Sequence, residues 1–343
     1  MKAAPYEVPR PPRWENAVLV GHAGREKEHL ERSMEELALL ADTAGGRVVG
    51  SLTQRRGSIH PAHFIGKGKL EELKTLADQT EAELLIFDDD LSPAQVRNLE
   101  TATKRKVIDR SELILDIFAR RARTRESRLQ VELAQLETDR RLVRDRIAKL
   151  KESLRAVERE RETQRNRRRR EYRAALVGYT NAGKSTLFNA LTKSDVFVEN
   201  RLFATLDSTT RQMVSRERET VLMTDTVGFI RKLPHHLVAS FHSTLVEAIE
   251  ADTLLHVTDA SDPDFRRQIL AVDHVLDQIL KEPRPPRLMV FNKCDQIDEE
   301  TATALRAEYE GCFVVSARTG EGLDALRAEL YRRSHERKLP VAG

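Results

Sequence analysis

One nine-residue stretch, Gly178-Tyr179-Thr180-Asn181-Ala182-Gly183-Lys184-Ser185-Thr186, has the composition and spacing of a phosphate-binding loop. Its two flanking glycines let the backbone wrap closely, so that successive N–H groups point inward at phosphate oxygens. The apolar run Ala174–Val177 precedes it and Leu187-Phe188 follows, which is the strand–loop–helix context such a loop requires. The helix start adds partial positive charge. In this setting Lys184 is expected to bridge the terminal phosphates of a nucleoside triphosphate, and Ser185 to turn its hydroxyl to Mg2+.

Further along, Val221-Leu-Met-Thr-Asp225-Thr-Val-Gly228 reads as a strand ending in a carboxylate. Asp225 can hold Mg2+ through a water, and the N–H of Gly228 can sense the terminal phosphate with no side chain in the way. Between the two motifs lies Leu202-Phe203-Ala-Thr205-Leu-Asp-Ser-Thr-Thr210. A threonine here is expected to meet Mg2+ only when the third phosphate is present. Thr205 is preferred, with Thr209 and Thr210 as competitors, and Phe203 is counted with the nucleotide contacts. Ser185, Thr205 and Asp225 are therefore the expected metal ligands, and Lys184, Thr205 and Gly228 the catalytic contacts.

The base is read farther downstream. The strand Leu288–Phe291 leads into Asn292-Lys293-Cys294-Asp295. Asp295 can accept two hydrogen bonds from guanine, N1–H and the 2-amino group, whereas adenine offers neither donor there. Asn292 is expected to tie this loop to the phosphate loop and Lys293 to lie along the purine face. Val314-Val-Ser316-Ala317-Arg318 repeats the strand-to-loop layout, with the Ala317 N–H at guanine O6. Four motifs in this order imply a GTP/GDP-binding enzyme that hydrolyses GTP. The position after Gly228, where a glutamine often orients the attacking water, holds Phe229, which cannot do so. Hydrolysis is expected to be slow and partner-stimulated. His235 and His236 lie nearby and read as surface histidines.

Three regions must carry these motifs. Residues 14–110 alternate strands (Ala17–Val20, Arg47–Leu52, Glu83–Phe87, Lys106–Ile108) with helices (Glu26–Leu40, Lys67–Asp78, Ser92–Thr101), the pattern of a small parallel α/β sheet. Ser92 followed by Pro93 marks a helix start. Gly66-Lys67-Gly68-Lys69 opens another helix and reads either as an anion site or as a tight turn. Residues 111–171 contain no glycine or proline, and apolar residues from Leu115, Ala119 and Ala122 through Leu129, Leu133 and Leu136 to Val157 repeat at 4–3 spacing. That spacing predicts a coiled-coil arm. Residues 172–334 form the nucleotide-binding α/β domain, in which Leu237, Phe241 and Leu245 read as a core stripe. A basic tail, 335–343, is expected to fray from about Tyr331.

Composition adds a charge map. The net charge is +3, yet Arg120–Arg173 holds 20 Lys/Arg against 10 Asp/Glu. A polycationic arm between acidic bodies favours a polyanion such as RNA. The apolar runs are too short to span a membrane, and Met1–Arg13 lacks the apolar stretch of a signal peptide, which predicts a cytoplasmic protein. Two cysteines, Cys294 and Cys312, argue against a disulfide framework and read as small apolar residues beside strands.

These residues together resemble the HflX GTPases. The likeness runs through Phe64-Ile-Gly-Lys-Gly-Lys69, Phe87-Asp-Asp-Asp-Leu-Ser-Pro-Ala-Gln95, Val107-Ile-Asp-Arg110 and Ile114-Leu-Asp-Ile-Phe118. It continues in Leu129-Gln-Val-Glu-Leu-Ala-Gln135, Leu136-Glu-Thr-Asp-Arg-Arg141, Val177–Ser185, Phe203-Ala-Thr-Leu-Asp207 and Asp225-Thr-Val-Gly-Phe-Ile230. The resemblance implies an N-terminal α/β domain, a two-helix arm and a Ras-like P-loop domain. It also implies binding to the large ribosomal subunit through ribosomal RNA, ribosome splitting coupled to GTP, and in some relatives ATP at the N-terminal domain. One departure stands out. Where relatives join the arm helices through a glycine-rich loop, Gln135 here runs directly into Leu136. The arm must then reverse tightly near Glu137–Asp139 or continue as one helix, and self-association through the coiled coil becomes an alternative use for it.

Overall fold

The computed structural model describes residues 15–22, 27–54, 59–138, 171–193, 202–203, 205–215, 219–231, 250–280 and 284–338. They divide into two compact units, 1–117 and 118–343. Most of the arm (139–170), the 232–249 segment with His235, His236, Leu237, Phe241 and Leu245, and the last five residues lie outside the described residues.

In the first unit, β-branched and leucine runs form β1 (Glu15–His22), β2 (Gly46–Gln54), β3 (Leu84–Phe87) and β4 (Lys106–Asp109). All pair parallel in the order β2-β1-β3-β4. Parallel pairing requires crossovers, supplied by α1 (Lys27–Thr43), α2 (Lys67–Gln79) and α3 (Pro93–Thr103). α3 begins as its sequence dictates: the Ser92 hydroxyl accepts from Gln95 N, the Gln95 side chain accepts from Ser92 N, and Pro93 occupies the first turn. The core gathers Val18, Val20, Leu73, Leu85, Phe87, Leu99 and Val107.

The second unit holds β5 (Tyr172–Gly178), β6 (Thr209–Val214), β7 (Thr220–Asp225), β8 (Thr253–Asp259), β9 (Arg287–Asn292) and β10 (Phe313–Val314). Their order is β10-β9-β8-β5-β7-β6, with β6 the antiparallel member. Around the sheet run α6 (Lys184–Thr192), α7 (Phe265–Ile279), α8 (Glu299–Glu308) and α9 (Leu323–Lys338). Its core is built on Leu176, Leu187, Phe188, Met223, Leu255, Val257 and Leu326. Both sheets are doubly covered, so their central strands read as continuous apolar runs.

Two sequence expectations are corrected. The helix predicted to run unbroken from Ser111 begins at Arg110, ends at Arg121 (α4) and restarts at Arg125 (α5, Arg125–Thr138). Of the described stripe positions Leu115, Ala122 and Leu133 are buried and Ala119 is exposed, while Leu113, Ile114, Ile117, Phe118, Ser127, Gln130 and Val131 off the stripe are buried as well. Burial this wide belongs to packed globular helices, not to the narrow a/d line of a two-stranded coil. The basic tail, expected to fray from Tyr331, is helical through Lys338. Arg332 and Arg333 pair with Glu329, and Ser334 is buried with its hydroxyl on Thr220 O.

Candidate functional site

The phosphate loop leaves β5 at Gly178, whose φ of +152° and close approach to Val257 O (2.1 Å from a built Cβ) admit only glycine. Gly183, at φ +87°, has a built Cβ 2.3 Å from Asn292 Nδ2, and it hands the chain to α6. Lys184 is buried, and its Nζ donates to Gly178 O (3.1 Å) and Tyr179 O (2.8 Å). Burial lowers its pKa to about 8, against the opposing pull of Asp225.

The three expected metal ligands meet. Ser185 Oγ donates to Asp225 Oδ2 (2.6 Å), Thr205 Oγ1 donates to the same oxygen (3.0 Å), and the two hydroxyls are 2.7 Å apart. Thr209 and Thr210 are instead strand residues of β6, where Thr210 Oγ1 contacts Thr224 Oγ1. Burial pushes the Asp225 carboxyl up, opposed by the Ser185 hydrogen bond and Lys184. Its second oxygen, Oδ1, is buried with no hydrogen-bond partner among the described residues. An orphaned carboxylate oxygen beside two hydroxyls is an all-oxygen donor set that suits a small hard cation.

Gly228 lies directly above the loop: a Cβ there would stand 2.9 Å from Thr180 Cγ2 and 3.0 Å from Lys184 Nζ. Its neighbour Phe229 is buried and bridges the loop by backbone alone, accepting from Thr180 N (2.7 Å) and donating to Gly178 O (3.1 Å). The residue after Gly228 therefore offers no side-chain donor or acceptor to orient water. Tyr179 adds a contact that the motif does not announce, its hydroxyl accepting from Arg231 N at 2.9 Å.

The Asn292–Asp295 and Ser316–Arg318 motifs meet in one place. Asn292 Nδ2 donates to Ala182 O (3.0 Å) while its Oδ1 accepts from Ala317 N (3.0 Å), so one buried amide locks three loops together. Asp295 accepts from Ser316 Oγ (2.6 Å) and pairs with Arg318. The Ser316 hydrogen bond and then the Arg318 charge hold its carboxyl below the usual range. Lys293 is fixed by Asp259 at the end of β8 (2.6 Å), a partner that sequence reasoning missed. Asn181 sits at φ +62° in the loop, and Thr186 lies in the first turn of α6. Cys294 and Cys312 are half-buried, with the Cys294 thiol pushed up to about 11 by burial.

Phe203, expected at the nucleotide, packs edge-to-face on Phe118 with ring centroids 4.7 Å apart. In the first unit, the N–H of Gly66 is engaged by Gln54 Oε1 (2.9 Å) and Lys69 pairs with Glu72 (2.8 Å), the geometry of a turn with exposed lysines. No described helix is long and apolar enough to cross a membrane.

Comparison with known proteins agrees with this geometry. Residues 31–119 match the family described as "GTP-binding GTPase N-terminal" and residues 173–293 the family described as "50S ribosome-binding GTPase". The GTPase HflX of Caldanaerobacter subterraneus subsp. tengcongensis is 44% identical over 351 residues, covering 93% of this chain and 80% of that one. The GTPase HflX of Escherichia coli is 42% identical over 355 residues, covering 93% and 83%. Both alignments are longer than the 343-residue chain, so these relatives carry residues without a counterpart here. Among solved structures, a mutation variant of SsGBP superposes with a TM-score of 0.53 at 25% identity, over 95% of this chain and all of that one.

Proposed function

Since the chain belongs to the HflX family of GTPases, and is a GTP-binding hydrolase like them, we propose that its nucleotide cycle governs binding to the large ribosomal subunit through the basic arm. The observation that carries the reading is the convergence of Ser185, Thr205 and Asp225 beside Lys184, with Asp295 and Asn292 at the base-reading end of the same sheet.

Ser185, Thr205 and Asp225 would hold Mg2+, which when bound supplies charge neutralisation at the phosphates. The remaining chemistry belongs to the chain. The loop amides 181–186 bind the phosphates, and Lys184 moves its ammonium from backbone carbonyls to phosphate oxygens. Gly228 offers its N–H to the terminal phosphate, and Asp295 accepts from guanine N1–H and the 2-amino group, displacing Arg318. Phe229 contributes no water-orienting group, so the group that completes hydrolysis comes from a partner or from elsewhere in the chain. The 20 Lys/Arg of Arg120–Arg173 supply the counter-charge for ribosomal RNA. The residues missing from the arm remove reach toward the subunit interior, so subunit binding is retained and splitting is weakened.

Pelleting with purified large subunits tests the proposal. Co-sedimentation is expected with a non-hydrolysable GTP analogue, weakening steeply as salt rises, together with faster GTP turnover when subunits are added. A chain that stays in the supernatant at low salt, with turnover unmoved by subunits, refutes it. Tight dimerisation of the full chain with no subunit binding would favour self-association instead.

A further inference from the structure

The segment around Thr205 is attached to the root of the arm on both sides. Two residues before it, Phe203 is held at φ +53° with its ring buried against Phe118 at the end of α4. Two residues after it, the Asp207 carboxylate receives three hydrogen bonds from the α4–α5 junction. Oδ2 accepts from Arg123 N (3.1 Å) and Thr124 N (3.2 Å), and Oδ1 from the Thr124 hydroxyl (2.6 Å). Thr124 is itself the N-cap of α5, its Oγ1 accepting from Ser127 N at 3.1 Å. Asp207 thus caps the helix start from a distant part of the chain, an anion placed where orphan N–H groups and the helix dipole favour one. Leu202 and Leu206 are buried as well, so the segment is seated by its apolar side chains.

From this geometry we infer that Asp207 is a positioning residue for hydrolysis: through Thr124 it fixes Thr205 against Ser185 and Asp225, and so couples the nucleotide state to the start of the arm helix. The inference rests on the reading of Thr205 as the residue that senses the third phosphate. The spacing supports the coupling. Phe203 and Asp207 each lie two residues from Thr205 and each is anchored on residues 118–124, so a displacement of Thr205 pulls on both anchors. Linkage makes the effect reciprocal: what favours Thr205 on the metal favours the capped start of α5, and loss of the cap weakens Thr205 equally.

The test compares affinities for GDP and for a non-hydrolysable GTP analogue, with Mg2+, on the full chain. GDP does not need Thr205, so a general loss of structure weakens both nucleotides, whereas a positioning defect weakens the analogue alone. Asp207→Ala is expected to reduce analogue affinity about tenfold, some 1.4 kcal/mol, with GDP affinity within about twofold. Thr124→Val should act in the same direction while leaving Asp207 present, and Thr124→Ser should restore wild-type values. On a Thr205→Ala background, Asp207→Ala should add nothing, the non-additivity of residues acting as one unit. In the wild type, hydrogen exchange at 125–128 should be slower with analogue than with GDP, and Asp207→Ala should erase the difference. Equal shifts for both nucleotides, or an undiminished Asp207→Ala effect on the Thr205→Ala background, overturn the inference. If Thr205→Ala alone leaves the analogue-to-GDP ratio unchanged, the reading of Thr205 fails, and the inference fails with it.

Discussion

Each unit ends a central parallel strand in a buried carboxylate, and the two carboxylates are treated differently. In the first unit, Asp88 follows β3 and is closed off within the fold: Ser33 Oγ donates to one oxygen (2.7 Å) and Arg110 Nη1 to the other (2.6 Å). Arg110 is itself buried and forks between Asp88 and Glu36. In the second unit, Asp225 ends β7 and faces two neutral hydroxyls, with Oδ1 unpartnered among the described residues and Lys184 turned to backbone carbonyls. Open parallel sheets place such groups at the carboxyl ends of strands in either case. The partner decides the outcome. A guanidinium from the same unit makes a structural ion pair, whereas hydroxyls leave charge and donor capacity for a ligand.

The largest effect that would break this contrast is at Lys184. Lys184→Ala should lower GTP turnover by about a thousandfold, by analogy with removal of a charge-stabilising donor. Turnover near wild type would mean that the loop does not hold the phosphates. Arg110→Ala should cost about 3 kcal/mol of unfolding free energy, read by denaturant titration, because it removes the guanidinium from the buried Asp88 and the half-buried Glu36. Unchanged stability would show that the first unit's carboxylates are not neutralised by Arg110. Asp295→Asn should weaken GTP binding by roughly thirtyfold through an unpaired guanine donor and improve xanthine nucleotides. Strict, undiminished GTP preference would contradict its role.

The smallest effect is the most diagnostic of a site left open. Lys184 has a folded pKa of about 8, below its ordinary 10.5, so the free folded protein sheds a proton that the unfolded chain keeps between those values. The burial penalty is therefore full below pH 8 and is relieved as pH rises toward 10.5. Phosphate restores the charge. Nucleotide binding above pH 8 should then take up a proton, with affinity falling by up to about tenfold per pH unit. Calorimetry at pH 9 in buffers of different ionisation enthalpy would reveal that proton, and its absence would mean that the ammonium is already paired in the free protein.

The motifs were legible because each is a local device. A loop that encloses phosphate needs glycines at 178 and 183 and a lysine at 184, whatever surrounds it. Strand and helix boundaries in the first unit followed for the same reason: Ser92, Pro93 and Gln95 carry their own capping chemistry. The arm was less legible. No glycine or proline marks a break at 122–124, and the 4–3 spacing extends straight through it. Asp207, 83 residues from Thr124 along the chain, takes up the N–H groups that a continuous helix would have bonded internally.

Sequence alone set out the phosphate-loop motif, the motif proposed to read guanine, and that no glutamine follows Gly228, since all three depend on side-chain type at fixed short spacing. Only the tertiary structure decided which threonine joins Ser185 and Asp225, and why the arm helix restarts at Arg125. Those outcomes depend on contacts between segments far apart in the chain, and neither partner carries a local sign of the other.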